Sequence, residues 1–83
     1  MGTYAGIAEI ANRGRELYRD RLQATIEPAH RGEYIAIDVE SGDYALAADE
    51  DLAVEQIEQR RPDGTIYLIR VGYTASLFVG SLA

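Results

Sequence analysis

The sequence predicts one small α+β domain, ordered α-β-β-α-β with a candidate further strand, in which helices pack a three- or four-stranded mixed sheet. Three observations predict it. An amphipathic stretch opens the chain, an alternating apolar run folds back on itself in the middle, and an acid-capped helix leads into a short, very apolar segment. All 83 residues are read as a single domain, since a chain of this length holds one core.

Residues from about 4 to 26 read as the first helix. Ile7, Ile10, Ala11, Gly14, Leu17, Tyr18, Leu22, Thr25 and Ile26 fall within about half the circumference of a helix. Glu9 with Arg13, and Glu16 with Arg19, are spaced to interact along the outer face. Gly14, mid-stripe, points to close packing or a bend, because glycine costs up to ~1 kcal/mol against alanine there. Arg21 falls near the stripe, where its stem can pack while its head reaches water. Pro28 is expected to stop the helix at Glu27.

A β-hairpin follows over about 33–47. Ile35, Ile37 and Val39 alternate onto one face, Ser41-Gly42 supplies turn chemistry, and Asp43 to Ala47 returns. Glu40 to Asp43 fits either a two-residue turn or a longer loop. Asp49 then caps a helix over about 49–60, with Glu50 and Asp51 at its positive end and Arg60 and Arg61 at its negative end. Pro62-Asp63-Gly64 ends it. The strand over about 65–71 is apolar on both faces, as an interior strand is. A crossover through the helix suggests parallel pairing. Residues from about 73 to 79 suit an edge strand.

On this reading the helices cover the sheet face bearing Ile35, Ile37, Val39, Tyr67, Ile69 and Val71. Tyr34, Ala36, Ala45, Ala47, Ile66 and Leu68 lie on the other, which the first helix or a second subunit must cover. A homodimer is therefore expected. Its candidate interface residues are Tyr34, Ala36, Ala45, Ile66 and Leu68, with Leu77, Phe78 and Val79 of the tail.

Composition narrows the function. There is no cysteine, which excludes disulfides and thiolate zinc sites. No signal-peptide pattern and no membrane-length apolar run occur, so a cytoplasmic location is expected. The net charge is −6, and residues 32–59 hold nine acids and no base. That balance repels phosphate backbones and reads as a solvated acidic face. Arg15, Arg19 and Asn12 on one helix shoulder are the nearest thing to a nucleic-acid surface.

Several short patterns mimic chemistry. The run from Ile35 to Gly42 resembles the first motif of DnaQ-like exonucleases, in which an apolar strand presents an Asp-x-Glu pair, here Asp38 and Glu40, to catalytic metals. The later acids and general base of those enzymes have no counterpart, since nothing after Asp63 is acidic. Glu40-Ser41-Gly42 brushes the Asp-Ser/Thr-Gly loop of retropepsin-like proteases, with glutamate where the dyad has little slack. Asp38, Glu40 and Asp43 lack the spacing of a calcium loop. His30 is the only histidine and sits in a connecting turn. No catalytic residue, cofactor or metal ligand is therefore assigned; Asp38 and Glu40 remain the alternative, as a metal-dependent hydrolase or nuclease pair.

Arg31 to Asp38, Ser41-Gly42-Asp43-Tyr44 and Ile66 to Tyr73 together resemble a family of short bacterial proteins, frequent in cyanobacteria, with a G-x-Y-x-A-I-D … G-D-Y … L-x-R-V-G layout. The likeness spans roughly residues 27 to 80, and its motifs carry no known chemistry. Members are often encoded beside a small retropepsin-like protein, in an arrangement similar to a toxin–antitoxin pair. The resemblance implies a protein-binding or regulatory role, antitoxin-like toward a neighbouring gene product, and assigns no functional residue.

Overall fold

A computed structural model describes residues 6–73 and 75–81. The first helix is α1 (Ile7–Leu17), a π-helical turn (Tyr18–Leu22) and α2 (Gln23–His30) in unbroken succession. Residues 4 and 5 of the expected helix lie outside the described residues, as does Thr74 of the expected edge strand. The helix does not stop at Glu27. It runs through Pro28 to His30 and leaves the helical region at Arg31 (φ −55°, ψ 129°). Only two helical residues follow the proline, so the lost donor falls in the final turn, which buried Ile26 anchors.

Strands β1 (Tyr34–Asp38) and β2 (Tyr44–Ala47) form the hairpin, α3 (Glu50–Arg60) follows, and β3 (Thr65–Arg70) and β4 (Ser76–Ser81) complete a sheet ordered β2-β1-β3-β4. The hairpin closes through a longer loop. The Asp38 amide donates to the Asp43 carbonyl at 2.8 Å, and Gly42 takes φ +82° where a side chain would strain. Asp49 caps α3 by accepting from the Leu52 amide at 3.3 Å.

The α+β class holds, but the parallel pairing expected of β3 does not. Every ladder is antiparallel. The crossover through α3 skips a strand and sets β3 on the free edge of β1, where Ile35 meets Ile69 and Ile37 meets Tyr67. The physical reason lies in β1. Ile35, Ala36 and Ile37 are fully buried, so β1 needs a partner on its second edge, while four-residue β2 with exposed Tyr44 serves as the sheet edge.

The expectation that the helices share one face, leaving the other to the first helix or a second subunit, is also corrected. The first helix packs Leu17, Tyr18 and Ile26 onto Ile35, Ile37, Tyr67 and Ile69, and α3 packs Ala53 and Ile57 onto Ala36, Ala45, Ile66 and Leu68. Each face thus has its own helix within one chain. The cover is diagonal: α1 lies over β3 and β4, while α3 lies mainly over β1 and β2. Among the described residues, no element covers the α3-side face of β4.

Candidate functional site

Asp38 is the residue that most resembled a catalyst, and its carboxylate is already occupied. It is buried and accepts hydrogen bonds from the Thr65 amide (3.1 Å), the Glu40 amide (3.4 Å) and the Ser41 hydroxyl (2.6 Å). Glu40 accepts from the Thr65 hydroxyl at 2.6 Å. The pair joins the hairpin loop to the start of β3, replacing water with backbone and hydroxyl donors. Among the described residues no group of three or more His, Asp or Glu side chains is placed to hold a metal. His30 lies at the end of α2, with Nδ1 3.2 Å from the Glu33 carboxylate.

The eight expected interface residues divide. Ala36, Ala45, Ile66 and Leu68 are buried beneath α3, and Tyr34 packs at the margin of the same cluster, so this face is not offered to another chain. A short helix with small contact residues was enough to cover it. In the tail, Val79 packs against the cluster under the first helix, whereas Leu77 (50% exposed) and Phe78 (39%) remain open.

Phe78 stands opposite Leu68 on the α3 side of the sheet, and a register shift between Leu68 and Ile69 displaces the start of β4. Between this strand and α3 runs a groove of about 330 Å³, floored by Leu68, Leu77, Phe78 and Val54. Its helical wall carries Glu50, Asp51, Glu55 and Glu58 and no base. The spacing explains the wall: Asp51, Val54, Glu55 and Glu58 recur at helical intervals, on a flank that adjoins buried Ala53 and Ile57 through Val54. In sequence these acids read only as a solvated face; crossing over the sheet turns that face toward an uncovered strand.

The outer side of β4 pairs with no strand among the described residues. The opposite edge is blunter. Strand β2 has four residues, and Arg60 donates to the Tyr44 carbonyl while Arg60 and Arg61 hold Asp43 at 3.3 and 3.4 Å. An exposed apolar edge beside an acidic wall is therefore peculiar to β4.

No protein-family model, no curated protein and no solved structure matches this chain. Among the described residues no helix is long and apolar enough to cross a membrane.

Proposed function

We propose that the chain is a small protein-binding or regulatory module that docks an extended, basic segment of a partner protein along β4. The observation that carries this reading is the coincidence, in one groove, of exposed Leu77 and Phe78, a strand edge beside which no further strand lies among the described residues, and an all-acidic helical wall. An added strand would take its affinity from main-chain hydrogen bonds to β4, and alternate apolar side chains would enter the groove floor. Lys or Arg at others of the same alternate positions, on the α3 side of the sheet, would meet Glu50, Asp51, Glu55 and Glu58, which favours a basic partner over an acidic one. The family resemblance gives a specific form, in which the partner is a toxic neighbouring gene product and this chain its antitoxin-like inhibitor. A second copy of the chain is the competing occupant.

Native mass spectrometry of the protein isolated from its host with partners intact reads oligomeric state and partner mass together. The recovered partner is then titrated against Phe78→Asp and against Glu55→Lys/Glu58→Lys. The expected result is a heteromeric complex lost in Phe78→Asp and weakened at least about tenfold in the double variant near ~0.1 M salt. A homodimer dissociated by Phe78→Asp would replace the basic partner with a second copy. A partner that binds both variants as it binds the wild type overturns the site.

A further inference from the structure

On the opposite face, between the first helix and the β3–β4 side of the sheet, lies a second pocket of about 260 Å³. Its walls include the rings of Tyr18 and Tyr73 and the side chain of Ile69, with Tyr67 beneath and Arg15 at the rim. Tyr67 is fully buried, and its hydroxyl is the one buried side-chain polar atom among the described residues that has no hydrogen-bond partner. Such an orphan is costly in a packed core, and a well-packed sheet would place phenylalanine there at no loss of contact. Arg15 stands close to that hydroxyl and its charge acts on it. It donates to the Asn12 side chain and pairs with no carboxylate among the described residues.

The acid that lines the pocket is, by contrast, well engaged. Glu27 accepts from the Tyr18 hydroxyl (3.0 Å), from Gln23 (3.1 Å) and from Arg31 (3.3 Å). Among the groups at the pocket with bonding capacity left are the Tyr67 hydroxyl and the Arg15 guanidinium, beside an apolar aromatic wall. The π-helical turn adds an independent pointer. Tyr18 belongs to it and Arg15 and Gln23 flank it, and such turns cost helix hydrogen bonding and concentrate at functional sites.

We infer that this pocket binds a small carboxylate with a flat apolar body, the carboxylate accepting from the Tyr67 hydroxyl and the Arg15 guanidinium while the body lies against Tyr18, Ile69 and Tyr73. Arg15 is exposed and its long side chain can follow an entering anion down to the hydroxyl. The site is separate from the β4 groove and stands whether or not a protein docks there.

The test is an amide NMR titration of the full chain with benzoate as the probe, and with benzyl alcohol and benzylamine as neutral and cationic controls of the same ring. Benzoate should give saturable shifts at Tyr18, Ile69, Gly72 and Tyr73, with a Kd on the order of 1 mM for so small a ligand. Tyr67→Phe and Arg15→Gln should each weaken it at least about tenfold, while the controls bind no better than to the variants. Shifts that fail to saturate by about 20 mM overturn the inference, as do equal affinities for the three probes or unchanged affinity in Arg15→Gln. Arg15 is on the surface, so its variant decides the matter even if Tyr67→Phe disturbs the fold.

Discussion

At the scale of single residues, the same side-chain types that suggested chemistry are used as fasteners. Asp-x-Glu at positions 38 and 40 was legible as a pattern, but its use depends on Thr65, which lies 27 residues beyond Asp38 and has no sequence signal linking it to the hairpin. Asp38→Asn keeps the shape, weakens the charge-assisted bonds and turns one acceptor oxygen into a donor facing other donors. It should cost about 1–3 kcal/mol in urea unfolding. An unchanged midpoint would return the carboxylate to the list of groups free for other work. Two tyrosines make a second prediction. Burial, first of all, raises the Tyr67 pKa above 10.0, with Arg15 acting the other way. Burial and then the hydrogen bond to Glu27 raise that of Tyr18, opposed by the Gly72 amide and Arg31. Above pH ~10 the unfolded chain releases these protons before the folded one does, so stability present below that pH is lost as pH rises through the folded values. A pH series of thermal melts should therefore fall off above pH ~10, and less steeply in Tyr67→Phe; a flat profile to pH ~11 would contradict the burial of both hydroxyls.

At the scale of elements, local chemistry was readable and partner choice was not. The hairpin, the Asp49 cap and the arginine end of α3 followed from residues within a few positions of one another. The π turn did not, because inserting one residue into a helical stripe changes no composition. It rotates the stripe so that Tyr18, Leu22 and Ile26 stay on the sheet while α2 continues. Gly14 belongs to the same adjustment. A Cβ there would stand 2.6 Å from the Tyr67 Cβ, so α1 reaches the sheet only because the side chain is missing. Gly14→Ala sets a gain of up to ~1 kcal/mol in helix propensity against ~1–3 kcal/mol of overpacking, and the net should be destabilising. A higher melting temperature in Gly14→Ala would show that the helix stands further from Tyr67. The strand order was likewise beyond local reading: parallel pairing with β2 and antiparallel pairing with β1 both satisfy the apolar pattern of β3. What separates them is the cover each leaves on the sheet as a whole.

At the scale of the whole molecule, two helices protect four strands by sitting on opposite faces and opposite halves. That arrangement explains why six of the eight expected interface residues, Val79 among them, turned inward while Leu77 and Phe78 did not. It also creates a hazard. A bare strand edge with apolar side chains invites its own likeness, and a sheet extended through β4 would present the same edge again only if the contact did not close. The carboxylates along α3 bear on this as much as on any partner. Two chains approaching β4 to β4 would bring their acidic walls toward one another, and the repulsion acts before the strands can zip together. Glu50, Asp51, Glu55 and Glu58 are thus placed to act as bumpers, and discrimination would come from what they turn away. Electrostatic bumpers shorten as salt is added, from about 10 Å of reach at 0.1 M to about 3 Å at 1 M. Removing them with Glu55→Gln/Glu58→Gln, or screening them, should let the chain self-associate, visible as a rise in mass by light scattering.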